Sequence, residues 1–520
     1  MANFHVTGSN DMTALDLSDF SGGTVTQNTS SEVVVKGASG TTYELFGDFS
    51  GGTGSTLPTG GTITTFKEIN DTDGTSNVIV GNLSLSVADF NTFVADDNGT
   101  GLQDEMFKGA DQFNLASGNG NNNVFGAAGN DLFLVGGSLA AGDTINGNGG
   151  FNTVVFNGDY SDGLTLGATT LENIQRLDFT GHNAYNITTA DATVATGETL
   201  DVDARNVGPD GSLTFDGSAE TDGRFIFQLA GTNPSNITGG AGDDVFHGGG
   251  TNSTLNGGAG NDTFYFGGNF DGTDTINGGS GDNVLHLDGD YSAGLAFTAT
   301  DLQNIQKLVL EHGNDYHVSL DAANDTNGNT MTIDGRDLHA ADSLTFDGTA
   351  VAGNLAIDGG AGADVLQGGT GTLNVFNGGA GADRMTAGGG TDHFVYESAA
   401  DSTGTHYDAI SGFNADSDKV VLYNETVTAI NTAVTTGALS TATFNTDLAH
   451  DLGASHLGIH HAVLFTADSG DLSGDTFLVI DVNGEAGYQG KGDIVIQLSG
   501  ATNLSDLSTA NFGDHSLTLT

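Results

Sequence analysis

The chain has 520 residues, with 66 Asp and Glu against 11 Lys and Arg, a formal net charge of −55. That balance excludes a nucleic-acid binder, which needs a basic footprint, and docking on anionic lipid, which relies on Lys and Arg clusters. With no cysteine there is neither a disulfide nor a thiolate metal site, so the carboxylates must tolerate their repulsion or be neutralised by cations.

The first stretch, "MANFHVTGSNDMTALDL", lacks a basic segment followed by an apolar run and does not read as a signal peptide of the usual kind. No apolar run approaches the ~18–20 residues that span a bilayer, so no membrane insertion is expected. Residues 1–106 read as a small, mostly β domain. "SEVVVKG" and "TTYELFG" are strand patterns, and "SVADFNTFV" predicts a helix. "DEMFKGADQFNL" then leads into a glycine-rich block, with Asp111 as a candidate metal ligand in a degenerate first turn.

From there a nine-residue phase recurs. "GGAGDDVFH", "GGGTNSTLN" and "GGAGNDTFY" fill residues 239–265, with glycine at positions 1 and 2, Asp most often at 6 and an apolar residue at 8. The phase returns at 117–134, 278–286 and 359–395. A flexible linker has no reason to hold its apolar residues in register. Glycine permits positive φ and a tight loop with carbonyls turned inward, and the last three residues form a short strand whose middle side chain points into a solenoid. Two nonapeptides make one coil, so Asp244 and Asp262 (262 − 244 = 18) should stack about one strand spacing apart. Two bare carboxylates at that range repel by ~1 kcal/mol even in water. A Ca²⁺ between them, completed by loop carbonyls, reverses the sign.

Position 6 supplies the candidate ligands Asp131, Asp244, Asp262, Asp364 and Asp383, with Asn122 and Asn283 as weaker variants. The carbonyl donors are expected from Gly239, Gly240, Ala241 and Gly242, from Gly257, Gly258, Ala259 and Gly260, and from Gly359, Ala361, Gly378 and Ala380. Ser253 and Leu373 occupy position 6 in two other turns, and an extra Asn377 makes the Asp364 to Asp383 spacing 19.

The repeat resembles the calcium-binding nonapeptide of repeats-in-toxin (RTX) proteins. That resemblance implies an all-β parallel roll and several Ca²⁺ ions. A longer repeat overlies it. "GDYSDGL" at 158 returns as "GDYSAGL" at 289, and "LENIQRL" at 171 as "LQNIQKL" at 302, both 131 residues on. The expected order is an N-terminal domain (1–106), an RTX block (107–157), a β-coil spacer (158–236), a second block (237–288), a duplicated spacer (289–356), a third block (357–395) and a C-terminal cap (396–520). The spacers read as wider coils of the same solenoid, with a separate sandwich in each as the alternative.

After Val395, "YESAADSTGTHYDAISGFNADSDKVVL" resembles the C-terminal domain of serralysin-type RTX proteins. The resemblance implies that Asp392, Asp401 and Asp408 ligate a last calcium, and that a type I secretion apparatus reads a signal in the C-terminal region. "FLVIDVNGEAGYQGKGDIVIQLSG" resembles the domain's final strands, with Asp481, Asn483 and Asp493 as a further oxygen site or an ordinary hairpin. "HDLGASHLGIHH" places His456 and His460 on one expected helix face with His450 and His461 nearby, a spacing that suits zinc as well as exposed polar histidines.

Neither H-E-x-x-H nor G-x-S-x-G occurs, and the long apolar segments of pore-forming relatives are missing. The reading is therefore a secreted, calcium-loaded, non-enzymatic solenoid at the bacterial cell surface. A weaker resemblance to calcium-dependent surface-layer proteins implies self-association or a surface polysaccharide as partner. The alternative is a soluble effector or enzyme with its site in 1–106 or the spacers.

Overall fold

The computed structural model describes residues 3–6, 20–37, 39, 41–52, 55–69, 76–95, 102, 106–115, 121–324 and 330–514. The terminal "HSLTLT" and the first residues of the 117–125 repeat lie outside them. The chain divides into two compact units, Met1–Gly260 and Asn261–Thr520.

The first unit opens with an antiparallel meander of Thr24–Asn28, Glu32–Lys36, Thr42–Ser50, Gly60–Ile69 and Ser76–Ser86. Its alternation is the period-2 signature of a one-sided sheet: Val33, Val35, Tyr43 and Leu45 are buried. The predicted helix forms at Val87–Ala95, and Phe90 meets Phe20 edge-on at 5.2 Å. Asn3–Val6 pairs antiparallel with this meander and parallel with Gln112–Asn114, joining meander to solenoid.

Parallel ladders follow. On one face Gln112–Asn114, Leu132–Gly136, Thr153–Phe156, Arg176–Gly181, Thr199–Val207, Arg224–Gln228 and Val245–His247 stack in chain order. On another, Tyr160–Thr165, Ala184–Thr188, Ser212–Asp216, Ser235–Thr238 and Thr254–Asn256 do the same. The spacer thus continues the solenoid. The register Asn236↔Thr254 advances 254 − 236 = 18 residues, whereas Arg176↔Asp201 advances 201 − 176 = 25. Longer spacer coils widen the turns without breaking the ladder.

The second unit repeats the plan from Thr263–Gly267 through Val284–Asp288, Lys307–Leu310, Thr330–Asp334, Asn354–Asp358, Leu373–Asn377, Thr391–Tyr396 and Lys419–Leu422. Its other face runs from Tyr291–Ala296 to Asp408–Ser411 and Ile494–Ser499, where it turns antiparallel through Thr476–Ile480 and His461–Thr466. There the helix Phe444–Asp451 buries Phe444 and Leu448 beside Leu452, Phe465 and Phe477. Among the described residues no helix is long and apolar enough to cross a membrane.

The position-8 side chains fill the axis. Phe133, Phe246, Leu255, Phe264, Leu285, Leu366 and Phe394 are wholly buried, and aromatics stack from coil to coil, as in Phe113 on Phe133 at 4.7 Å and Phe376 on Phe394 at 5.1 Å. One repeat frame needs correction. Asn374 pairs with Asp392 and Phe376 with Phe394, so Asn374, not Leu373, occupies position 6, and the extra residue is Gly368 rather than Asn377. The cause is burial: Phe376 is the fully enclosed side chain, and the chain shifts by one to keep it inside.

Four of the eleven cations serve the duplication. Asp203 is held by Arg176 and by Arg205, the latter at 2.7 Å, and Asp334 by Lys307 at 2.7 Å and Arg336 at 2.6 Å. Both aspartates stay ionised because these hydrogen-bonding cations outweigh burial and hold their carboxyls below the usual range. Removing one partner of a buried ion pair leaves the other uncompensated. Arg176→Met, which strips the buried Asp203 of one of its two cations, is therefore expected to cost on the order of 1–3 kcal/mol in urea unfolding with calcium present; an unchanged midpoint would show that the cluster adds nothing to the spacer.

Candidate metal centre

The position-6 residues form a ladder of side-chain to backbone bonds. The N–H of Asp111 donates to Asp131 Oδ1 at 2.9 Å, Asp131 N–H to Asn152 Oδ1 at 2.9 Å, and Asn152 N–H to Gln175 Oε1 at 2.8 Å. Asn122 donates to Asp143 Oδ1 at 2.6 Å. Phe225 N–H reaches Asp244 Oδ1 at 2.6 Å. In the second unit Asp262 donates to Asn283 Oδ1 at 2.8 Å, Leu344 to Asp364 Oδ1 at 2.7 Å, Asp364 to Asp383 Oδ1 at 2.8 Å, and Asp383 to Asp408 Oδ1 at 2.9 Å. The 19-residue spacing of Asp364 and Asp383 thus leaves the contact intact.

The ladder takes the Oδ1 atoms of Asp131, Asp143, Asp244, Asp364, Asp383 and Asp408. The Oδ2 atoms of Asp131, Asp364 and Asp383 are buried and accept no hydrogen bond among the described residues. Each faces the first glycine of its own repeat. A Cβ on Gly126 would strike Asp131 Oδ2 and the Gly147 carbonyl, and one on Gly359 would strike Asp364 Oδ2 and the Gly378 carbonyl. Gly239 lies likewise between Asp244 Oδ2 and the Gly257 carbonyl, although Asp244 Oδ2 also accepts the Gly240 N–H at 2.6 Å. Gly258 and Gly260 have φ of 104° and 108°, and a Cβ there would collide with the Gly240 and Gly242 carbonyls. The glycines exist to bring coil against coil at carbonyl distance. Ala241 and Ala259 hold the same loops by their N–H groups, to Glu220 O and Gly240 O, both at 2.9 Å, and Ala361 and Ala380 do so to Leu338 O and Gly360 O, both at 3.0 Å.

Burial pushes the carboxyls of Asp131, Asp244 and Asp383 up to about 7, and Asp364 to about 8. Buried anionic oxygens that no donor satisfies, beside main-chain carbonyls, form a hard-oxygen cradle that only a cation completes. The asparagines explain themselves by contrast. Asn152 Nδ2 donates to Asn173 O and Asn283 Nδ2 to Asn304 O, both at 2.9 Å. At these rungs an N–H fills the cradle, and no charge needs compensation. Ser253 is also neutral, its hydroxyl donating to Gly250 O at 2.6 Å.

In the C-terminal region Asp392 accepts from Asn374 Nδ2 at 2.7 Å and donates its N–H to Asp418 at 3.1 Å, and burial raises its carboxyl to about 6. Asp408 is raised well above the ordinary carboxylate range by burial and by Asp383. Asp401 instead caps its own turn, accepting from Glu397 N–H at 2.7 Å and Ser398 N–H at 2.9 Å. Asp481, Asn483 and Asp493 do come together. Asn483 Nδ2 donates to Asp493 Oδ1 at 2.7 Å, and Asp481 Oδ2 is buried without a hydrogen-bond partner among the described residues. The histidines do not share a helix face. The helix ends at Asp451; His456 Nδ1 bonds Asp451 O at 2.8 Å, His461 Nδ1 bonds Asn431 Oδ1 at 2.7 Å, and His460 sits at φ 54°. A left-handed turn residue breaks the expected spacing. His450 only meets its neighbour Asp451, at 2.8 Å.

Asp143, Asp274 and Asp418 escape a search for glycine pairs. They are buried all the same, and an acid two residues ahead of an inward apolar side chain ("DTI" at 143 and 274) carries the signal.

The cradles and the coil-to-coil carbonyls define a calcium-binding parallel β-roll. Family models agree on both parts: the RTX calcium-binding nonapeptide repeat matches residues 114–137, 238–271 and 269–290, and the serralysin C-terminal model of peptidase M10 matches 348–496. The chain is a secreted calcium-binding protein of the RTX type with a serralysin-like C-terminal domain. No curated protein sequence matches it significantly.

Proposed function

We propose that this protein is a non-enzymatic structural component of the bacterial cell surface, a lattice, matrix or adhesive subunit that folds and associates when calcium loads its cradles. The observation that carries the reading is how the buried acids are employed. They hold backbone N–H groups of adjacent coils and face carbonyls, so their chemistry is spent on architecture. With a net charge of −55, copies repel until cations bridge or screen them, and calcium is the ion already selected. Asp131, Asp244, Asp262, Asp364, Asp383, Asp392 and Asp408 are the ligand set, with the loop glycines and alanines as carbonyl donors and Asn122 as a weaker ligand; Asn283 is a neutral rung.

Negative-stain electron microscopy of the full chain in millimolar calcium and in EGTA tests the reading. Sheets or filaments in calcium alone are the expected result. Monodisperse particles in both conditions would favour a soluble secreted effector, or an enzyme with its site in residues 1–106 or the spacers.

A further inference from the structure

We propose that Asp191, Glu220 and Asp222 form a calcium site in the first spacer, outside the nonapeptide repeats. One carboxylate oxygen from each lies within 4.8 Å of the others. Each acid is fastened by a single oxygen. Asp191 Oδ1 accepts from Thr221 N–H at 3.0 Å and Oγ1 at 2.6 Å, and Asp222 Oδ2 from Thr196 Oγ1 at 2.6 Å. Glu220 Oε1 accepts from Gly223 N–H at 2.8 Å and Asp222 N–H at 3.2 Å.

Glu220 makes the cluster more than an acidic patch. It is wholly buried, and its Oε2 accepts no hydrogen bond among the described residues. An isolated buried carboxylate is strongly unfavourable unless a charge or a donor compensates it. The adjacent Arg224 is turned to Thr199, its Nε donating to Oγ1 at 2.7 Å, and among the described residues no ion pair joins it to Glu220. Three carboxylates with no nitrogen or sulfur among them are a hard-oxygen set, which suits Ca²⁺.

The duplicated spacer is an internal control. A shift of 131 residues carries Asp191 to Ala322 and Glu220 to Val351, while Asp222 falls opposite Ala352 and Gly353. The frame is kept: Glu220 N–H donates to Gly217 O, and Val351 N–H to Gly348 O, both at 2.9 Å. Val351 is buried as Glu220 is. The fold therefore accepts an apolar residue at this position, and where it carries the acid instead, two further acids accompany it. That covariation within one chain is what a ligand set requires.

The test uses the full chain. In calcium-grown crystals exchanged into terbium, an anomalous peak is expected about 2.3–2.6 Å from oxygens of Glu220 and Asp222. Filled nonapeptide loops with no peak at this cluster would overturn the assignment. Independently, native mass spectrometry of Glu220→Val and Glu220→Gln at saturating calcium should count one ion fewer than wild type, with unchanged circular dichroism. An unchanged ion count in both variants would likewise overturn it; should either fail to fold, the terbium peak decides.

Discussion

Stripped of calcium at pH 8, the protein is expected to lose most of its β-sheet circular dichroism, and to regain a large part of it when acidified to pH 5 with no metal added. Burial raises the carboxyls of Asp131, Asp244, Asp364 and Asp383 from 3.8 to about 7, 7, 8 and 7. A group raised on folding contributes stability that is complete below its unfolded value and lost as pH climbs through the folded one. Without metal, the folded state therefore weakens steadily between about pH 4 and pH 8. A shift of about three units is on the order of 4 kcal/mol per residue, and four such residues together exceed the ~5–15 kcal/mol net stability of a typical domain. Calcium reverses the slope, because it binds the deprotonated carboxylate and competes with the proton. In calcium, acidification below about pH 6 should then destabilise. Melts in EGTA and in calcium at pH 5, 6, 7 and 8 should give curves of opposite sign. Identical melting in the two at pH 8 would remove the metal from the account, and a metal-free protein that weakens on acidification would contradict the burial.

Replacing one acid by its amide should separate charge from shape. In EGTA at pH 8, Asp364→Asn is expected to be more stable than wild type by a few kcal/mol, up to about the 4 kcal/mol that three pKa units represent, whereas Asp364→Ala, relieved of the same charge, gains clearly less than the amide. The amide keeps an Oδ1 for the Leu344 N–H, which Asp364 now accepts at 2.7 Å. It also adds an Nδ2 donor facing the Gly378 carbonyl, as Asn283 Nδ2 faces Asn304 O at 2.9 Å. Alanine abandons the Leu344 N–H in a buried site, at roughly 1–3 kcal/mol. In calcium the order should invert, with wild type above the amide because one ion is lost. If the amide proves no more stable than alanine without metal, the ladder is not what Asp364 supports.

The architecture was legible because one periodicity carries two messages. Phe133, Phe246 and Phe394 mark the inside of the coil, and the acid two residues earlier marks the cradle. The phase could not tell a loaded rung from a neutral one. Asn122 and Asn283 look like weakened ligands in the sequence, yet the Asn283 amide uses both ends on hydrogen bonds. Register was equally opaque around Gly368, since glycine on either side makes two frames match until Phe376 is seen to be enclosed. The histidine spacing misled because periodicity says nothing of a turn at His460 with positive φ. Glu220 was invisible for a different reason: its neighbour Asp191 belongs to the previous coil, 29 residues back (220 − 191), and only the longer spacer turn brings them together.

The ladder of N–H groups also has a direction. Every acceptor belongs to the coil nearer the C-terminus and every donor to the one before it, from Asp111 on Asp131 to Asp383 on Asp408. Within each unit the two ends of the ladder are therefore unequal. Trimming from the front exposes carboxylates, which water hydrates readily, whereas trimming from the back orphans amide hydrogens inside a closed coil. Within a unit, deletion should thus be tolerated better at its leading coil than at its last, which acts as the keystone of the coils before it.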